Sequence, residues 1–126
     1  MEISTYTDKH SKSLRALLKR EGPEWGEYWQ EEGWARYMHA LDTSHTFIAL
    51  SEGELVGFAR CRDDYGFGVY VQDLLVDKSH RGNGYGGLLL QHVRRNFNST
   101  VYVLSDVDPY YEGLGYKPIG TVFVVS

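Results

Sequence analysis

The chain has 126 residues, with 13 Lys and Arg against 17 Asp and Glu and a formal net charge of −4 at pH 7. A length of this order is typical of one domain, so we expect a single domain over residues 1–126. The acidic balance, without a basic patch, argues against nucleic acid as a partner. The single cysteine, Cys61, excludes an intrachain disulfide, and no spacing of His or Cys indicates a metal site.

The sequence also lacks membrane and export signals. The start of the chain, Met1–Lys9, is polar and has no apolar core of a signal peptide. No run of about 18 apolar residues follows it. We therefore expect a cytoplasmic protein with no membrane partner.

The first part of the chain predicts one strand and two helices. Glu2–Thr7 alternates and is rich in strand-forming residues. Asp8 or Ser11 would cap a helix that runs to Arg20. The aromatic and acidic stretch Trp25–Leu41 predicts a second helix.

The pattern then changes to the period of strands. Thr46–Leu50 and Leu55–Cys61 predict a hairpin, and a further strand is expected within Tyr65–Asp77, with Val69–Val76 as its apolar centre.

The last part of the chain alternates helices with strands. Gly82–Phe97 predicts a helix, Val101–Leu104 a strand, Pro109–Leu114 a short helix and Thr121–Val125 a final strand. This order predicts an α/β (α+β) fold whose mixed, mostly antiparallel sheet is flanked by helices.

The glycine-rich run Arg81–Gly86 opens the predicted third long helix after a strand and a polar loop. The first N–H groups of a helix have no internal partner and attract anions. Gly82, Gly84 and Gly86 would let a pyrophosphate approach the backbone closely. Gly87 adds a fourth glycine to the first turns of the helix. Because glycine destabilises a helix, so many glycines indicate another role, and phosphate binding supplies one.

Other interpretations of the glycine run stay open. It could serve only a tight turn and close packing. It lacks the Gly-Lys-Ser/Thr ending of a Walker loop. Gly82–Gly87 matches the dinucleotide fingerprint literally, with Asp106 in the place of the ribose-binding acid, but the loop Asp77–Arg81 separates it from its strand.

Two segments resemble motifs of the GNAT superfamily of N-acetyltransferases. LLVDKSHRGNGYGGLL (Leu74–Leu89) resembles its CoA-binding motif, and PYYEGLGY (Pro109–Tyr116) resembles its later FYEKLGF element. They occur in the family's order and spacing, and the order of predicted elements fits the family fold over nearly the whole chain. The resemblance implies acetyl-CoA as co-substrate and an amine as acceptor.

The resemblance also implies site residues. The strand before the loop would splay from its neighbour, pantetheine would lie in the gap, and the Leu74 N–H would polarise the thioester carbonyl. The implied cofactor-binding residues are Leu74, Leu75, Val76, Arg81, Gly82, Asn83, Gly84, Tyr85, Gly86, Gly87 and Tyr111.

The resemblance gives a clear candidate for the general acid but not for the general base. Tyr111 matches the family's tyrosine and would protonate the leaving thiolate, although Tyr110 beside it replaces the usual Phe. Many relatives carry Glu or His where this chain has Gln72, which cannot accept a proton. Asp73 is the candidate base, on the condition that a bulge turns it to the face of Tyr70. Otherwise water or an acidic residue of the second helix would serve, or the reaction would proceed without a base.

The second helix is the candidate wall of the acceptor pocket. Trp25, Tyr28 and Trp29 lie among glutamates and would suit a cationic amine, and Gln72 would face the same pocket. The aromatic residues would equally serve as core.

We therefore expect an N-acetyltransferase that acts on a small-molecule amine. The alternatives are a catalytically idle acyl-CoA-binding module of the same fold and a dinucleotide-binding domain. A homodimer would be compatible with pairing at the Thr121–Val125 edge.

Overall fold

A five-stranded sheet organises the molecule in the computed structural model, which describes residues 1–126. The strands lie in chain order across the sheet. β1 to β4 are antiparallel neighbours, and β5 runs parallel to β4. The strands are β1 (Glu2–Thr5), β2 (His45–Ser51), β3 (Glu54–Asp63), β4 (Val69–Val76) and β5 (Val101–Val103). This mixed, mostly antiparallel sheet with flanking helices confirms the predicted fold class.

Helices cover both faces of the sheet. They are α1 (Ser11–Glu21), α2 (Gly26–Trp29), α3 (Glu31–Asp42), α4 (Tyr85–Asn96) and α5 (Asp108–Gly113). On one face, a cluster of 11 buried residues joins α1 and α3 to the sheet through Ile48, Phe58 and Leu75. On the other, a cluster of 10 buried residues packs α4 on the sheet through Val69 and Val71. We call these the α1–α3 face and the α4 face.

The predicted second helix, Trp25–Leu41, is interrupted in the structure. The chain makes a 3₁₀ turn at Pro23–Trp25, and Gln30 has extended backbone angles (φ −84°, ψ 139°) between α2 and α3. Gly33 permits the two helices to meet, because a Cβ there would collide with the carbonyl of Glu27. Periodicity alone did not indicate this break.

Two other boundaries also differ from the sequence prediction. Residues 65–68 form a turn, so β4 begins at Val69, where its apolar run begins. The glycines Gly82 and Gly84 precede α4, which begins at Tyr85.

The predicted final strand, Thr121–Val125, is wrong. Residues after Tyr116 form neither helix nor strand, and Val124 and Val125 are 94% and 95% exposed. β-branched residues favour an extended chain, but a strand also needs a neighbouring edge to pair with, and here β5 pairs only with β4.

None of the helices combines the length and the apolarity needed to cross a membrane.

Candidate active site

β4 and β5 separate half-way along β4. They pair at Val69, Tyr70 and Val71, and the last contact is the Leu104 N–H donating to the Val71 carbonyl at 3.1 Å. No strand lies beside the remainder of β4 on that side. We call the opening the β4–β5 gap.

A β-bulge lies at the point where the two strands separate. Cys61 of β3 is opposite Val71, whereas Arg60 is opposite Asp73, so Gln72 is an extra residue in β4. A bulge of this kind shifts the alternation of the strand by one residue.

The shift changes which backbone groups face the gap. The Val71 carbonyl points to β5, yet the Asp77 N–H points to β3, where it donates to the Val56 carbonyl at 2.7 Å. Six residues along a regular strand would leave the direction unchanged. After the bulge, the backbone groups of Leu74 and Val76 therefore face the gap. Leu75 instead directs its backbone to β3 and its side chain into the core of the α1–α3 face.

The glycine loop lies immediately after this strand and presents free amides. The first hydrogen bond of α4 runs from the Leu88 N–H to the Gly84 carbonyl at 3.0 Å, and the N–H groups from Gly82 to Gly87 donate to no protein atom. Gly82 and Gly84 have φ of 85° and 78°, and a Cβ on either would point into open space. The loop thus offers several donors to a bulky anion.

Ion pairs hold the loop against the end of α1. The Arg81 side chain donates to the Val76 carbonyl at 3.0 Å and to the Glu21 carboxylate at 2.7 Å. Arg20 pairs with Asp77 at 3.1 Å. These contacts join the loop to the end of β4 and to the end of α1.

Two neighbouring tyrosines of α5 lie near the loop. Tyr111 is half-buried and packs against the buried cluster of the α4 face, as Leu74, Val76 and Tyr85 also do. Burial, followed by the charges of Asp106 and Tyr110, raises the pKa of Tyr111 to about 12.

Because of the bulge, Asp73 lies on the α1–α3 face. The prediction of Asp73 as a base required a bulge of this kind. Its Oδ2 accepts bonds from Arg60 Nε and from the Tyr37 hydroxyl, both at 2.6 Å. Burial, followed by the charge and hydrogen bond of Asp73, raises the pKa of Tyr37 well above its usual value. The carboxylate is therefore engaged in a hydrogen-bonded ion pair.

A cavity of about 300 Å³ opens on the same face, between α2, α3 and β3. Its lining residues are Glu27, Tyr28, Gly33, Arg36, Tyr37, Ala40 and Arg60. Of the predicted acceptor residues, Tyr28 lines this cavity. Trp25 packs edge-on against Phe58, and Trp29 donates to the Gly22 carbonyl at 3.3 Å, so both indoles serve the packing of α2.

Sequence reasoning did not connect Tyr37 or Arg60 with Asp73. Tyr37 lies within the predicted second helix and Arg60 within a predicted strand, and neither belongs to a recognisable motif. They meet Asp73 only because α3 and β3 bring them together.

Comparison with known proteins identifies the class to which this arrangement belongs. Residues 12–116 match the Acetyltransferase (GNAT) family. The chain therefore belongs to the GNAT acetyltransferase family, which confirms the resemblance seen in its motifs.

Solved structures show the same fold. The GNAT family protein SP0256 from Streptococcus pneumoniae TIGR4 superposes with a TM-score of 0.74 at 23% identity, over 98% of this chain and 97% of that chain. The aminoglycoside N-acetyltransferase AAC(6')-Iy, solved with CoA, gives a TM-score of 0.74 at 19% identity, over 99% and 98% of the two chains.

Relatives by sequence are longer proteins. "Histone acetyltransferase TAP1" of Glycine max is 29% identical over 86 residues, which are 64% of this chain and 37% of that protein. "GCN5-related N-acetyltransferase 2, chloroplastic" of Arabidopsis thaliana is 31% identical over 72 residues, 52% of this chain and 28% of that protein. The matched segments thus span between 28% and 51% of the length of such curated relatives.

Proposed function

We propose that the chain transfers an acetyl group from acetyl-CoA to the amine of a small molecule, by direct attack of the amine on the thioester. The observation that carries the proposal is the adjacency of two features. The free amides of Gly82–Gly87 suit a pyrophosphate. The strand segment whose backbone faces the gap, at Leu74 and Val76, ends just before this loop. CoA combines a pyrophosphate with an amide-bearing arm that can pair with a strand.

The Leu74 N–H is proposed to stabilise the oxyanion that develops on the thioester carbonyl. A backbone donor on a strand is fixed before the reaction and needs no reorganisation when charge develops. Removing a donor of this kind from other enzymes costs about 10²–10³ in kcat.

Tyr111 is proposed to protonate the leaving thiolate. A pKa of about 12 keeps its hydroxyl protonated throughout the neutral range. The thiol of the product titrates near 8.5, so transfer of the Tyr111 proton to the thiolate is uphill even when the charge on sulfur is complete. Tyr111 would therefore donate a hydrogen bond to the developing thiolate, and proton transfer would be completed when the phenol regains the proton that the attacking amine releases.

The acceptor is proposed to enter through the cavity on the α1–α3 face. Its volume of about 300 Å³ lies at the lower end of the range for small-molecule sites. Tyr28 supplies an aromatic wall, and Glu27 is the one carboxylate of the lining, which also contains the guanidinium groups of Arg36 and Arg60. Arg60 is neutralised by Asp73, so the acceptor amine would have to bind at Glu27, away from Arg36. Aminoglycosides are the acceptors named for two similar folds, whereas histones are named for one relative, so both classes belong in the test.

The first experiment is thermal unfolding with acetyl-CoA, CoA and NAD at about 100 times a typical dissociation constant. A ligand at this level adds roughly 2.7 kcal/mol of stability, which raises the midpoint by several degrees. We expect a shift with both CoA species and none with NAD. A shift with NAD alone would support a dinucleotide-binding domain instead.

The second experiment measures release of free CoA with small polyamines, aminoglycosides and a histone-tail peptide as acceptors. Tyr111→Phe should lower kcat by about 10²-fold while CoA affinity is retained. Tyr110→Phe removes the adjacent hydroxyl and is the matched comparison. CoA binding without turnover on any acceptor would favour the idle acyl-CoA-binding module.

A further inference from the structure

We propose that Arg60 and Tyr37 are positioning residues for the acyl-transfer site. By pairing with Asp73 they hold the bulge at Gln72, and the bulge decides which amides of β4 face the β4–β5 gap. That the β4–β5 gap binds the acyl donor rests on the proposed function. That the three residues hold the bulge does not.

Asp73 is the first residue of β4 after the bulge, and Arg60 lies directly opposite it on β3. Their side chains are only 10% and 13% exposed and are 2.6 Å apart. The Tyr37 hydroxyl, from α3, donates to the same carboxylate oxygen. Three elements therefore meet at the residue where the shifted part of β4 begins.

The guanidinium of Arg60 is held on several sides. It donates to the Ser44 hydroxyl at 3.2 Å and lies 5.6 Å from the centre of the Tyr37 ring. Surface ion pairs of mobile side chains contribute little, whereas this pair is largely buried and each member has further hydrogen-bond partners.

The unshifted register would be unfavourable for Asp73. Without the extra residue, regular alternation would place it on the α4 face, where Val69 and Val71 are both fully buried. A carboxylate in that apolar layer would have no partner, and burying an unpaired charge is strongly unfavourable. The Arg60 side chain would at the same time lose its partner on the α1–α3 face.

The register has a direct consequence for the site. With the bulge, the N–H groups of Leu74 and Val76 face the gap, and those of Asp73 and Leu75 face β3. Without it, the directions are exchanged and the Leu74 N–H pairs with β3. The role that this assigns to Asp73 is to anchor the strand and not to accept a proton from the acceptor.

Amide hydrogen exchange measured by NMR on the full chain tests the inference without reference to activity. In the native chain we expect slow exchange at Asp73 and Leu75 and fast exchange at Leu74 and Val76. The double variant Arg60→Leu/Asp73→Leu removes both charges together, which leaves no unpaired charge behind. We expect its exchange pattern at positions 73–76 to invert.

Two further variants provide the comparison. Arg62→Leu changes an exposed arginine on the same face of β3, opposite Tyr70, and should keep the native pattern. Asp73→Asn keeps the shape of the side chain and one acceptor oxygen for Tyr37 and Arg60, and should largely keep the native exchange pattern. If Asp73 acts only as an anchor, Asp73→Asn also leaves the shape of the pH profile of kcat/KM unchanged.

A native exchange pattern in the double variant overturns the inference, and so does loss of an acidic limb of the pH profile in Asp73→Asn. If the double variant shows no cooperative unfolding, Tyr37→Phe carries the test, with faster exchange expected at Asp73 and Leu75. Inversion of the pattern in a protein that acetylates no acceptor would leave the inference standing and the proposed function refuted.

Discussion

The hydroxyl of Tyr110 lies where a Cβ on Gly86 would have to be. The start of α4 and the helix that follows β5 are therefore in contact through a space that only glycine leaves open. Gly86 has ordinary helical backbone angles, so its role here is to make room rather than to adopt a special conformation. The contact connects the glycine loop to the pair Tyr110 and Tyr111.

Replacing Gly86 with Ala should destabilise the fold. The new methyl group meets the Tyr110 hydroxyl, which is the outer end of a side chain that is 42% exposed and can move aside, so we expect a loss of about 1 kcal/mol, the lower end of the usual cost of overlap. Gly87→Ala is the matched control, because the nearest atom to its Cβ is a Leu114 methyl at an ordinary 3.7 Å. Urea unfolding should show a loss for Gly86→Ala and no loss for Gly87→Ala, since Ala favours a helix.

Removing the overlapping oxygen should recover part of that loss. In the double variant Gly86→Ala/Tyr110→Phe, the nearest ring atom would lie 3.2 Å from the new Cβ, a tight but tolerable contact. Equal stability of the single and double variants would show that the overlap is relieved elsewhere.

Gly84→Ala should weaken CoA binding as well as stability. Gly84 has φ of 78°, and placing an L-residue in this region costs about 1–2 kcal/mol. Gly53 in the β2–β3 turn has φ of 82° and equally open surroundings, so Gly53→Ala carries the same strain far from the loop. Both variants should unfold earlier, and calorimetry should show weaker CoA binding for Gly84→Ala alone.

Stability should fall in alkaline solution. Burial raises the pKa of the Cys61 thiol from 9.0 to about 12. It also raises the pKa values of the Tyr6 and Tyr111 hydroxyls from 10.0 to about 12. The folded state holds these protons more tightly, so their contribution is complete below the unfolded pKa values and is lost as pH rises from 9 towards 12.

The thiol can be separated from the phenols in that experiment. Cys61→Ala removes the group that titrates first in the unfolded chain, so the decline in the unfolding midpoint should start about one pH unit later. An unchanged onset would assign the effect to other groups.

The rate of acetyl transfer should follow the neutral fraction of the acceptor. Gln72 cannot accept a proton, so at low pH only the unprotonated amine can react. We expect log kcat/KM to rise with a slope of about 1 up to the pKa of the amine. Changing to an acceptor with a lower pKa should move the limb by the same amount, whereas a fixed limb would reveal a titrating group of the protein.

The sequence predicted those features that are encoded by neighbouring residues. The bounds of β4 follow from the apolar run Val69–Val76, and the glycine loop and α5 follow from local motifs. The bulge could not be predicted in the same way. It depends on Asp73 meeting Arg60 and Tyr37, which are far apart in the chain and carry no pattern of their own. The wrong prediction of a strand at Thr121–Val125 has a similar cause. The segment has the residues of a strand, but a strand forms only where a neighbouring strand is free to pair with it.

The Tyr37–Asp73–Arg60 group also bears on how segments of this chain can be exchanged with those of other proteins. Its members belong to α3, β3 and β4, so any crossover placed between residues 37 and 73 separates at least one of them from its partners. Chimeras joined before α3 or after β4 would inherit the group intact. Those joined within the β2–β3 hairpin, which is the natural place to cut by loop position, would need matching residues at all three positions.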